Sequence, residues 1–229
     1  MLKPNLALDL NDVHLTLGSR AGDVKILRGI TLKASTGEAI GIVGPSGSGK
    51  TSLLMIIAGL EAVTSGQITV AGESLTGKSE EALAKFRRDN IGIIFQSFHL
   101  IPTMTAIENV AIPLEFKGAK DAMAKAGQGL TSVGLGHRLS HYPGQLSGGE
   151  QQRVAIARAV TSGAKILLAD EPTGNLDQET GSKIIDLLFE LKERENATLF
   201  LVTHDRALAK RCNRIIEVRD GLVSESKPK

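Results

Sequence analysis

Apolar and polar side chains alternate with a period of two at the start of the chain, at Leu6, Leu8 and Leu10 and then at Val13, Leu15 and Leu17. A second strand-like run covers residues 26–32, and the polar stretch Gly18-Ser19-Arg20-Ala21-Gly22-Asp23 between the two reads as a hairpin loop. Residues 38–43 form a short apolar run ending at Gly44, the pattern of a buried strand that leads into a turn. Residues 52–60 have helical spacing, closed by Gly59. Residues 67–70 and 91–95 are further strands. From Thr105 to Val160 the pattern is mostly helical, with breaks expected at Pro113, at Gly134 to Gly136 and at Tyr142-Pro143-Gly144. Strand and helix then alternate: a strand over 165–169, a helix over 179–194, a strand over 198–202, a short helix over 206–211, and strands over 214–218 and 222–224. This order predicts an α/β core with a mostly parallel sheet. The opening strands add an antiparallel β layer, and the helical middle, about 97–162, reads as a subdomain inserted into a core of about 1–96 and 163–229.

Composition narrows the function classes. The chain has 229 residues, is 41% hydrophobic and 23% charged, and carries a net charge of +2, which is ordinary for a globular protein and gives no footprint of a nucleic-acid binder. One Tyr, six Phe and no Trp leave little for base stacking. The longest apolar stretch, near Leu53 to Leu60, is too short to span a membrane, and no signal peptide is visible. Cys212 is the only cysteine and reads as a packing residue in a reducing compartment.

Gly44-Pro45-Ser46-Gly47-Ser48-Gly49-Lys50-Thr51 fits G-x-x-x-x-G-K-[ST], between an apolar strand and a helix that continues at Ser52. Glycines in such a loop turn successive N–H groups inward, so that they and the helix N-terminus hold phosphate oxygens. Lys50 adds a point charge for the β and γ phosphates, and Thr51 a hydroxyl for Mg²⁺. The implied fold is a P-loop NTPase core, and the implied ligands are ATP and Mg²⁺.

Ile166-Leu167-Leu168-Ala169-Asp170-Glu171 is a buried strand ending in two carboxylates. In a parallel sheet that end lies at the nucleotide-binding edge. Asp170 is the candidate for holding Mg²⁺ and Glu171 for the general base that activates water. A solvated acidic strand end is the plainer alternative, common when such a pair stands alone.

Leu146-Ser147-Gly148-Gly149-Glu150-Gln151-Gln152-Arg153 contains an S-x-x-E capping box at the head of a helix over 151–160. Capping alone accounts for Ser147 and Glu150, while a helix N-terminus also suits a phosphate.

With the phosphate loop, Gln96, this octapeptide, Asp170-Glu171, Gly174-Asn175-Leu176-Asp177 and His204 in this order, the chain resembles the ATP-binding cassette family over nearly its whole length. The stretches Phe95-Gln96-Ser97-Phe98, Leu100-Ile101-Pro102-Thr103 and Ala106-Ile107-Glu108-Asn109-Val110 are similar to the branch holding the lipoprotein-release and macrolide-efflux ATPases. The resemblance implies the RecA-like form of the P-loop fold and further roles. Gln96 contacts Mg²⁺ and the attacking water, and His204 contacts the γ phosphate. Ser147, Gly148, Gly149 and Gln151 face the nucleotide of a second copy in a head-to-tail homodimer, and Asp177 lies at that interface. The family often stacks adenine on an aromatic near the end of the first strand. Here the region reads Leu15-Thr16-Leu17-Gly18, leaving Leu17 to give apolar contact.

The apolar segment Phe98, Leu100, Ile101, Pro102 and Met104 is a candidate groove for a helix of an integral-membrane permease, with local packing as the alternative. The expected function is the ATPase subunit of a complex that exports or extracts a lipoprotein, lipid or hydrophobic compound through a separate permease chain. That places it in the cytoplasm, peripheral on the inner face of the inner membrane. A mechanotransmitting or scaffold-type ATPase is the alternative, weakened by Glu171 and His204. Too few residues separate Lys50 from Ser147 for the coiled coil of a chromosome-type ATPase. His137 and His141 are four apart, but no carboxylate or thiol accompanies them, so surface polarity outweighs a zinc site.

Overall fold

The computed structural model describes residues 6–19 and 22–226. Its first strand, β1 (Leu6–Ser19), runs through the change of phase between Leu10 and Val13. The register to β2 (Gly22–Ser35) shifts there, and Asp12 takes a left-handed φ of 50°. A bulge of this kind adds one residue and so returns the apolar side chains to the same face. Leu8, Leu10, Val13 and Leu15 are accordingly all buried. Residues 20 and 21 of the expected hairpin loop lie outside the described residues. Gly18 and Asp23, counted to the loop, instead pair across the strands.

The chain continues through β3 (Ala39–Val43), α1 (Lys50–Ile57), β4 (Ser65–Val70), β5 (Glu73–Ser74), α2 (Glu80–Asn90), β6 (Ile91–Phe95), α3 (Ala106–Phe116) and α4 (Ala122–Ser132). It ends with α5 (Gly148–Thr161), β7 (Ile166–Asp170), α6 (Gln178–Arg194), β8 (Thr198–Val202), α7 (Arg206–Ala209), β9 (Arg214–Arg219) and β10 (Leu222–Ser226). Several elements differ from expectation: β5 was not foreseen, and β2 and α5 begin earlier than their apolar patterns. α1 begins at Lys50 because Gly49, at φ 104°, is its left-handed N-cap, so Thr51 and Ser52 fall in its first turn. α2, mostly charged, is not among the expected elements; its inward face carries Ala82, Leu83 and Phe86, and of these Phe86 is the buried anchor. α3 does not break at Pro113. A proline inside a helix costs about 3 kcal/mol, but buried Val110, Ala111 and Leu114 flank it and the packing holds the helix together.

Residues 1–87 with 198–229 form one compact unit, and residues 88–197 a second. In the first, β2, β1, β4 and β5 make an antiparallel sheet in that order. β3 lies parallel between β8 and β9, and β10 pairs antiparallel with β9. β3 and β8 are buried at every position, which is why both read as unbroken apolar runs. In the second unit β6 and β7 pair in parallel. α5 packs on α3, α4, α6 and β6 through Val154, Ala155, Ile156, Ala157 and Val160. Among the described residues no helix is long and apolar enough to cross a membrane.

Candidate functional site

In the first unit the phosphate loop leaves the C-terminal end of β3. Gly44 has φ 150°, and a Cβ there would come within 2.1 Å of the Val218 carbonyl oxygen, so only glycine fits. The Gly221 N–H donates to the Ser48 carbonyl at 3.2 Å, while the Arg28 N–H donates to the Gly221 carbonyl at 2.8 Å. The β9–β10 turn thus ties β2 to the phosphate loop. The Lys50 ammonium donates to the carbonyls of Gly44 at 3.0 Å and Pro45 at 2.7 Å, which folds it over the loop.

Two observations show that this cradle suits an anion. The Ser48 hydroxyl is buried, yet its oxygen has no hydrogen-bond partner among the described residues. α1 has no acidic side chain in its first turn, so nothing in the helix offsets the partial positive charge of its N-terminus. Pro45, Ser46 and Gly47 are exposed along the loop rim, and Gly47 has φ 75°. His204 lies in the same unit. β8 runs parallel to β3, Ile42 pairs with Val202, and the Thr203 N–H donates to the Ile42 carbonyl at 3.2 Å. The exposed His204 therefore follows a strand that ends at the same edge as the phosphate loop.

The second unit holds the remaining candidates. Phe95 and Asp170 are register partners, so β6 and β7 deliver Gln96 and Glu171 to one edge. The Gln96 side-chain amide donates to Oδ1 of Asn175 at 3.1 Å, and the Asn175 amide donates back to the Gln96 carbonyl at 3.1 Å. A Cβ at Gly174 would meet that same Gln96 amide nitrogen at 2.6 Å. Glu171 has φ 48°, sparsely populated for a residue with a side chain, and its carbonyl accepts from the Gly174 N–H at 3.0 Å.

Ser147 is exposed at the head of α5, and the capping box is formed: its hydroxyl accepts from the Glu150 N–H at 3.3 Å, and the Glu150 carboxylate accepts from the Ser147 N–H at 2.8 Å. Hydrogen bonds from the Ser147 N–H, first, and from its side chain hold the Glu150 carboxyl below the usual carboxylate range, with Arg138 at 3.2 Å helping. A Cβ at Gly149 would meet the Thr180 methyl at 2.6 Å, which explains that glycine by packing. The Gln151 amide donates to the Leu146 carbonyl at 3.0 Å. Asp177 is the N-cap of α6, accepting from the Thr180 N–H at 3.0 Å, and the hydrogen bonds to Thr180 lower its carboxyl. Ser147, Gly148, Gly149, Arg153, Asn175 and Asp177 line one cavity of about 590 Å³.

Residues 137–141 are not helical, so His137 and His141 share no helix face. His141 Nε2 is 3.0 Å from the Arg138 guanidinium, which engages the ring nitrogen with a donor in place of a metal. No group of three His, Cys, Asp or Glu side chains fit to hold a metal occurs among the described residues.

Comparison with known proteins gives a concordant result. The family model described as "ABC transporter" matches residues 27–174. The chain is 46% identical over 220 residues to the uncharacterized ABC transporter ATP-binding protein YbbA of Escherichia coli K12, covering 95% of this chain and 96% of that protein. It is 46% identical over 218 residues to the lipoprotein-releasing system ATP-binding protein LolD of Geobacter metallireducens, covering 94% and 97%. The dimeric structure of a post-hydrolysis state of the ATP-binding cassette MJ0796, bound to ADP and Pi, superposes with a TM-score of 0.89 at 40% identity, over 97% of this chain and 99% of that one.

Proposed function

This chain belongs to the ABC transporter family, and from that premise we propose that it is the ATP-hydrolysing subunit of a membrane complex whose separate permease carries the cargo. Gly44 to Ser52 hold the phosphates of ATP, with Lys50 supplying the positive charge. Thr51, Gln96 and Asp170 would hold Mg²⁺, which would supply positive charge beside the phosphates. Glu171 takes the proton from the attacking water, and His204 orients against the γ phosphate. Residues 1–96 and 163–229 form the nucleotide-binding core, and 97–162 the helical subdomain.

Ser147, Gly148, Gly149, Gln151 and Asp177 serve the nucleotide of a second copy. Two chains placed head to tail enclose two ATP molecules, and binding that favours the closed pair drives its formation. The segment from Phe98 to Met104 receives a helix of the permease. Ile101 is 39% exposed, and buried Asn109 ties the segment down through bonds to Ile101, Met104 and Thr105. A charge introduced at Leu100 or Met104 is expected to abolish co-purification with the permease. The cargo class supported by likeness to the lipoprotein-releasing relative is a lipoprotein, lipid or hydrophobic compound, exported or extracted. The subunit then sits in the cytoplasm, on the inner face of the inner membrane.

The observation that carries hydrolysis is Glu171, a carboxylate at the end of a buried strand in a backbone conformation that costs energy. Together with His204 it favours a hydrolysing subunit over a scaffold. Glu171→Gln is expected to lower ATP turnover by about 10²–10⁴-fold, the range for loss of a general base, and to leave an ATP-bound dimer visible by light scattering. Unchanged turnover, or a monomer at saturating Mg-ATP, overturns the reading.

A further inference from the structure

The chain just after Gln96 makes an uncommon turn. Phe98 and His99 are consecutive left-handed residues with side chains, at φ 60° and 48°. Each costs on the order of 1–3 kcal/mol and persists only where its surroundings impose it. Their carbonyls point to the reason. The Arg158 guanidinium donates through Nη1 to the His99 carbonyl at 2.6 Å and through Nη2 to the Phe98 carbonyl at 2.9 Å. Arg158 belongs to α5, the helix that Ser147 caps.

Arg158 is half-buried, which pushes the guanidinium below the ordinary arginine value, and the two carbonyls accept from it. On the other side of the turn Asn109, fully buried, fixes residues 101, 104 and 105 with four hydrogen bonds. The stretch from Phe98 to Thr105 is therefore braced at both ends. The brace at the Gln96 end comes from α5.

We propose that Arg158 is a positioning residue for ATP hydrolysis: it locks the turn after Gln96 to α5, so that Gln96 and the helix headed by Ser147 move as one body. This rests on the role proposed above for Gln96. Arg158 touches neither nucleotide nor metal in this scheme and acts through the Phe98 and His99 carbonyls alone. A bidentate planar donor suits two adjacent carbonyls, and a lysine offers only a compact charge on a flexible stem. The same link gives a permease helix seated on Phe98 to Met104 a direct handle on α5.

The test is a double-mutant cycle on the full chain, with Arg158→Lys, Gln96→Ala and the pair. Arg158→Lys is expected to lower kcat by tenfold or more while KM for ATP stays within twofold, because the phosphate loop is untouched. In the Gln96→Ala background the same substitution is expected to add less than twofold, since residues that act as one unit are not additive. Arg158→Ala is expected to regain turnover with millimolar guanidinium ion, which fits the space left by the side chain. Losses that multiply in the double variant overturn the positioning role and leave the ATPase reading intact. An Arg158→Lys chain with kcat unchanged, or with kcat reduced only as far as its ATP-binding stoichiometry, overturns it as well. Gln96→Ala without effect overturns the role of Gln96 and this inference with it.

Discussion

Gln96 and Asn175 hold each other through two hydrogen bonds of 3.1 Å, one from each side-chain amide. The residue proposed to reach Mg²⁺ is thus anchored to the segment that presents Asp177. Asn175→Ala removes both bonds. A hydrogen bond of this kind has a net worth of about 0.5–1.5 kcal/mol, so kcat is expected to fall roughly two- to tenfold per bond lost, with KM for ATP little changed. Steady-state kinetics on the full chain checks this.

Ser147 has two duties that a single substitution separates. Aspartate caps a helix as well as serine does, whereas loss of the cap costs about 1 kcal/mol. Ser147→Asp is therefore expected to keep the melting temperature of the parent and to lose ATP turnover, because its carboxylate would face the phosphate of the partner copy. Ser147→Ala is expected to lose both. Full activity in the aspartate variant would show that the serine does no more than cap α5.

Leu17 and Val24 are register partners near the end of the β1–β2 hairpin, 42% and 50% exposed. Farther along β2, Leu27 and the Ile26 carbonyl lie 3.0–3.1 Å from where a Cβ on Gly49 of the phosphate loop would stand. The exposed pair is thus placed to give a base aliphatic contact without stacking. Leu17→Tyr is expected to lower KM for ATP and GTP alike, by about fivefold or more, since aromatic stacking is worth about 1–3 kcal/mol per base. An unchanged KM for both nucleotides would remove the base from this end of the hairpin.

Glu150 makes the stability of α5 depend on pH. Its carboxyl is held below the ordinary value of 4.5, chiefly by the bond from the Ser147 N–H. A lowered folded value means that its stabilisation is complete above the unfolded value and is lost as pH falls through the lowered one. Glu150→Gln keeps the capping geometry without the titration. Melting temperatures of parent and variant are expected to differ most near neutral pH and to converge in acid. Parallel curves would remove Glu150 as the source.

Apolar runs such as Ala39–Val43 and Thr198–Val202 were legible because burial on both faces leaves an unbroken apolar string. The capping box at Ser147 was legible because its two partners are three residues apart. Asn175 and Asn109 stand in stretches that carry the family resemblance, but their bracing roles, like that of Arg158, do not show in the sequence. Asn175 meets Gln96 from 79 positions away and Arg158 meets His99 from 59, and no local spacing signals such contacts. Pro113 misled for a related reason: its local rule was outweighed by packing around Val110, Ala111 and Leu114.

The tie from Gly221 to Ser48 makes the phosphate loop a long-range structure. The backbone it rests on, from Val218 to Gly221, is distant from it along the chain. Closing so long a stretch costs entropy before the contact repays it, so such contacts form late in folding. The floor of the phosphate loop is thus expected among the last parts of this unit to become ordered.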